Sequence, residues 1–151
     1  MEAYRIGSGR YPIFDGAGAA ASDVARWNSR GREVIYAAEH YSTALLEKAA
    51  QFNSVRLPRS LRFIHITIPD TVTVEEVRVQ DVMGWDADHR RASQRFGDEW
   101  FDERRSLILL VPSLAAPGLE RNVLINQRHP QFKRLKSSGP QPIAGHPNLL
   151  V

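Results

Sequence analysis

Apolar residues recur along the chain with two periods, one suited to strands and one to helices. From Leu61 to Ile68, the residues Leu61, Phe63, Ile64, Ile66 and Ile68 are interleaved with Arg62, His65 and Thr67, the alternation of a half-buried strand, and Pro69-Asp70 closes it. Tyr4 to Ile6 reads as a short opening strand, and Val34 to Ala37 as a compact β-branched run suited to a buried one. Ser106 to Val111 is a continuous apolar run that stops at Pro112-Ser113, and Val123 to Ile125 follows the Pro117-Gly118 turn signal. Val72 to Val79 is a less regular candidate, expected to pair beside Leu61 to Ile68. The helical period appears twice. Tyr41, Ala44, Leu45, Ala49 and Phe52 form one apolar face over Tyr41 to Phe52, with Glu47 off that face. Ala92, Phe96, Trp100 and Phe101 mark a charged surface helix within Asp86 to Arg105, in which Gly97 is a weak point.

Gly7 to Ala21 carries neither period and reads as a long loop. Beyond Lys136 the pattern is lost, and three prolines and two glycines between Ser137 and Val151 read as a loosely packed tail. The division expected is one folded domain over 1–136 and a tail over 137–151. The 151 residues suit a single hydrophobic core. Strands dominate and do not alternate cleanly with helices, so the fold class expected is α+β, a single compact domain with mixed or antiparallel sheet and flanking helices.

Composition narrows the chemistry. There is no cysteine, which excludes disulfides, thiolate metal sites and a cysteine nucleophile. No run is long enough for a membrane helix, and Met1 to Ser8 lacks the basic-then-apolar order of a cleaved leader, so a cytoplasmic location is expected. Of 20 basic residues three are lysine, a bias toward the guanidinium fork that suits phosphate and carboxylate. The net charge of +3 is concentrated after Phe101, where seven basic residues meet three acidic ones. With His129 near Arg128 and Lys133, that basic third also admits an RNA-binding or RNA-cleaving module, against which stand the small charge and the lack of aromatic stacking motifs.

Familiar catalytic motifs are absent. Gly7, Gly9, Gly16 and Gly18 form neither a dinucleotide turn nor a phosphate loop, and no elbow motif surrounds Ser113. His40, His65, His89, His129 and His146 have no metal-ligand spacing, so no metal is expected. On residue type alone Glu47 is a solvated helix residue, Arg5 and Arg26 are surface cations, Tyr36 is a core aromatic and Ser113 a turn residue.

Six motifs in succession alter that reading. Tyr4-Arg5-Ile6, Ala25-Arg26-Trp27-Asn28, Val34 to Glu39, Ala44-Leu45-Leu46-Glu47, Val111-Pro112-Ser113, and Glu120-Arg121-Asn122 through Asn126 to His129-Pro130 resemble, in order and spacing, the RES-domain toxins of bacterial toxin–antitoxin pairs. Two positions depart from that pattern: Ala25 stands where glycine is usual, and His40-Tyr41 where Ser-Pro is common. The resemblance implies a fold related to ADP-ribosyltransferases, NAD⁺ as substrate, and a cognate Xre-family antitoxin held in a hetero-oligomer, with nucleic acid met only through that antitoxin. It also implies that Arg5, Arg26, Tyr36, Glu47 and Ser113 occupy the site. The residue types suit the roles: Arg5 or Arg26 for the pyrophosphate, Glu47 for an oxocarbenium-like cation, Tyr36 for stacking on nicotinamide, and Ser113 for the carboxamide or for fixing Glu47. The acceptor of ADP-ribose stays open between water, phosphate and a protein.

Overall fold

The central strands are covered on both faces, which is why their sequences read as unbroken apolar runs. In the computed structural model, which describes residues 1–143 and 145, β5 (Ile108–Pro112) and β6 (Arg121–Asn126) lie antiparallel at the centre. Ile108, Leu110, Val123 and Ile125 enter one core, which also takes Ile35, Ile64 and Ile66. Leu109, Val111 and Leu124 point the other way, into a second core with Trp27, Trp85 and Trp100. A third cluster, built on Ile6, Ala38, Ala44, Leu57 and Leu61, lies under α2 (Tyr41–Phe52).

The remaining elements are β1 (Glu2–Ser8), α1 (Ala17–Ala20), β2 (Val34–Ala38), β3 (Leu61–Thr67), β4 (Val74–Glu76), α3 (Arg91–Asp102), β7 (Lys136–Ser137) and β8 (Gln141–Pro142). The sheet runs β4-β5-β6-β2-β1-β3-β7, with β8 also on β3. All pairings are antiparallel except β4 with β5, so the sheet is mixed and the expected α+β class is what forms.

Four expectations are corrected. The strand at Val74–Glu76 pairs with β5, not with β3, because β3 is occupied by β1 on one side and by β7 and β8 on the other. β1 continues to Ser8, its glycine-containing end carried by backbone pairing to Arg62 and Leu61, and a single helical turn follows at Ala17–Ala20 where a loop without structure is expected. The tail adds two short strands to β3 through backbone bonds that leave no side-chain period; the rest of it, residues 144 and 146–151 with His146, lies outside the described residues. The helix expected over Asp86 to Arg105 is confined to Arg91–Asp102, and it is no mere surface helix, since Ser93, Gly97, Trp100 and Phe101 are buried. Gly97 is a point of close approach: a Cβ there would lie 1.6 Å from the carbonyl oxygen of Trp27.

Candidate active site

β1 and β2 pair at a single register position, Tyr4 with Ala38, and part beyond it. Arg5 fills the opening. Its Nε donates to Ile13 O at 2.6 Å and its Nη1 to Tyr36 O at 2.8 Å. Burial pulls its pKa to about 10, well above neutrality, so the buried side chain remains a cation.

Tyr36, on β2, turns its ring toward the second core. Its hydroxyl donates to Asn28 Oδ1 at 2.6 Å and accepts from Trp27 N–H at 3.0 Å, which fixes the turn that carries Arg26. Burial pushes this phenol well above its usual range, so it stays protonated. Gly97 lets α3 close on the same turn from behind, and Ser93 Oγ donates to Arg26 O at 2.5 Å. Arg26 itself donates through Nη1 to Ala87 O at 2.6 Å and Trp85 O at 3.2 Å, while its buried Nε has no hydrogen-bond partner. Its pKa is lowered, chiefly by burial and then by Arg90; Asp88, Asp86 and Glu47 pull it back up.

Glu47 comes from α2, which starts after an extended His40 and ends at a left-handed Asn53. It is half-buried rather than solvated. Glu47 Oε1 accepts from Ser113 Oγ at 2.6 Å, from Asn122 Nδ2 at 3.1 Å and from Ala115 N–H at 3.4 Å. All three bonds land on Oε1, which locks the rotamer and leaves Oε2 as the oxygen they do not use. Phe52, placed on the apolar face by its spacing, is exposed at the helix end.

Arg5, Arg26, Tyr36 and Glu47 line one cleft of about 860 Å³, within the range of roughly 300–1,000 Å³ usual for small-molecule sites. Ser113 does not line it. That residue is fully buried behind Glu47, where its Oγ donates to Glu47 Oε1 and accepts from Ala115 N–H at 3.1 Å. Asn122 and Lys48 also line the cleft. Neither was singled out as a site residue: Asn122, the second residue of β6, lies within the last of the six motifs, whose polar members were the usable signal, and Lys48 looks like any helix lysine. Asn122 Oδ1 is buried without a partner. Of the residues behind the RNA reading, Arg128 pairs with Glu33 at 2.5 Å, and His129 Nδ1 accepts from Gln131 N–H at 3.1 Å.

A smaller cleft of about 460 Å³ adjoins the first across Pro112. Arg121 in it pairs with Glu39 at 2.5 Å and Glu76 at 3.1 Å. Glu120 at its rim takes a short hydrogen bond from Thr43.

Against known proteins, a family model described as RES domain matches residues 2–144. The chain belongs to the RES domain family. Among its relatives, the Prs ADP-ribosylating toxin of Sphingobium sp. (strain YBL2) is 39% identical over 132 residues, covering 84% of this chain and 81% of that protein. A protein named Toxin Res from Yersinia enterocolitica is 33% identical over 141 residues, 91% of each chain. Another Toxin Res, from Pseudomonas putida, is 33% identical over 113 residues, 74% of this chain and 76% of its own. In structure, this RES domain resembles a chain of the M. tuberculosis MbcT–MbcA toxin–antitoxin complex, with a TM-score of 0.74 over 95% of this chain and 84% of that one, at 16% identity. That likeness carries the fold, and the single α+β domain with a mixed sheet and few helices expected from the sequence is the one this RES domain has. Among the described residues, no helix is long and apolar enough to cross a membrane.

Proposed function

We propose that this RES domain is the toxin of a toxin–antitoxin pair and acts in the cytoplasm by cleaving NAD⁺ at the nicotinamide–ribose bond. One observation carries the reading: a carboxylate with a locked rotamer shares a cleft with two arginines held by backbone carbonyls instead of acids. Arg5 and Arg26 therefore keep their charge for an anionic ligand, and the pyrophosphate of NAD⁺ is one. In the reaction the bond between ribose C1′ and the nicotinamide nitrogen breaks, and its electron pair leaves with the ring, which becomes neutral. The positive charge passes to the ribose as an oxocarbenium-like cation, and Glu47 stabilises it. Water then adds its oxygen to C1′ and releases one proton, giving ADP-ribose; inorganic phosphate in place of water gives the 1-phosphate. Tyr36 walls the nicotinamide end, and Ser113 and Asn122 hold Glu47.

A protein acceptor is the second reading, favoured by the name of the Sphingobium relative, an ADP-ribosylating toxin. The same bond breaks, and a side-chain nucleophile of the target replaces water. An Xre-family antitoxin is the partner proposed, in a hetero-oligomer; the fold's likeness to a chain from a toxin–antitoxin complex supports an antitoxin of some kind.

The test is nicotinamide release from NAD⁺ by the purified, antitoxin-free protein, run with and without phosphate and with a cell extract as source of protein acceptors. Release by the wild type and its loss by a factor of about 10² to 10³ in Glu47→Gln are expected. Phosphate dependence names phosphate as acceptor, and ADP-ribose on protein names the second reading. Absence of release in every arm refutes the proposal.

A further inference from the structure

Lys48 follows Glu47 on α2 and lines the same cleft. Its Nζ donates to Gln51 Oε1 at 3.1 Å, and among the described ion pairs no carboxylate joins it. The charge that acts on it is that of Arg5 on β1, whose Nε and Nη1 are fixed by two carbonyls that leave its charge in place. Burial, and then the field of Arg5, pull the Lys48 ammonium down to about 8. Two partly desolvated cations that line one cleft and are joined to each other by no carboxylate destabilise each other, with Asp15 offsetting only part of the cost at Arg5. A doubly charged anion seated there relieves both the repulsion and the lost solvation.

We propose that Lys48 is a substrate-binding residue which, with Arg5, forms the seat for the diphosphate of the substrate. Nothing in the six motifs marks it, yet it lines the same cleft as Glu47, the carboxylate proposed to meet the ribose. The identity of the whole substrate rests on the NAD⁺ reading above; the dianion seat does not. The titratable groups lining the cleft from elements packed on Lys48 are Tyr4 and Arg5 on β1, Tyr36 on β2, and Glu47 on α2 itself. Tyr36 is pushed up and Arg5 sits at about 10, so Lys48 is the cation whose charge changes from pH 7 to about 9.

The test is calorimetric titration of wild type, Lys48→Met and Lys48→Arg with inorganic pyrophosphate at pH 7 and 9, alongside KM for NAD⁺ in the nicotinamide assay. Loss of one charge-assisted bond predicts about tenfold weaker pyrophosphate binding and an equal rise in KM for Lys48→Met, with kcat nearly unchanged. Lys48→Arg binds within about threefold of wild type at pH 7 and, unlike wild type, keeps that affinity at pH 9. Equal pyrophosphate binding by wild type and a folded Lys48→Met, or no binding by either, overturns the seat. Nicotinamide release with KM unchanged in Lys48→Met overturns it and leaves the NAD⁺ reading standing. Lys48-dependent pyrophosphate binding without any nicotinamide release does the reverse.

Discussion

The two clefts that meet at Pro112 treat the same side chain in opposite ways. In the smaller one Arg121 is pinned between Glu39 and Glu76, and the hydrogen bond to Glu39 raises its pKa. In the larger one Arg5 and Arg26 are pinned by carbonyl oxygens of Ile13, Tyr36, Trp85 and Ala87, and burial lowers both. A carboxylate partner fixes a guanidinium and cancels its charge; a carbonyl fixes it and leaves the charge in place. The first arrangement stabilises a fold, and the second costs stability to keep a cation ready for a ligand. The arginine bias of the composition thus divides into a structural and a functional share that no count separates.

The frames of the two clefts break differently. Gly97→Ala drives a Cβ into the Trp27 carbonyl, and backbone on both sides has no slack, so the cost exceeds the roughly 1–3 kcal/mol of ordinary overpacking. Thermal unfolding drops by more than about 10 °C, and activity goes with it because the Trp27 turn carries Arg26. Gly118, on the smaller cleft, has open space around it and a positive φ of 76°. Gly118→Ala costs only about 1 kcal/mol and leaves nicotinamide release intact.

Next in size is the lock on Glu47. Ser113→Ala removes one of its three donors, which lowers kcat about tenfold and thermal stability by about 1–2 kcal/mol, read from steady-state rates and melting curves. No comparable loss of rate follows Thr43→Ala, whose short bond serves Glu120 beside the other cleft.

The smallest effect is on pH dependence. Lys48 binds its proton less tightly folded, at about 8, than at the ordinary 10.5, so between those values the unfolded chain holds more protons and stability rises with pH. Relative to Lys48→Met, the wild type gains at most about 1.4 kcal/mol per pH unit above pH 8, seen as a steeper rise of Tm between pH 8 and 9.5.

Strands covered on both faces, such as Ile108–Pro112 and Arg121–Asn126, were legible because burial leaves an apolar run. Pairing was not: Val74–Glu76 has the same alternation whether it lies on β3 or β5, and only the occupied edges of β3 decide. β7 and β8 left no trace because two-residue strands pair through backbone alone. For the site, motif order placed Arg5, Arg26, Tyr36 and Glu47 in one cleft, which periodicity did not, since Glu47 off an apolar face looks solvated. The burial of Ser113 and the amide of Asn122 on Glu47 depend on contacts across 66 or more residues, and the sharing of one cleft by Lys48 and Arg5 on the packing of α2 on β1, all out of reach of any local pattern.

The most direct measurement is nicotinamide release from NAD⁺ by Arg26→Met and Arg121→Met, each confirmed folded by circular dichroism. Arg121→Met should keep a rate within about threefold of wild type while losing about 0.5–1 kcal/mol of stability, and Arg26→Met should lose about a hundredfold in kcat/KM with little change in stability. Equal rates in the two variants, or a loss confined to Arg121→Met, would contradict the division between a cation that holds the fold and a cation kept for the substrate.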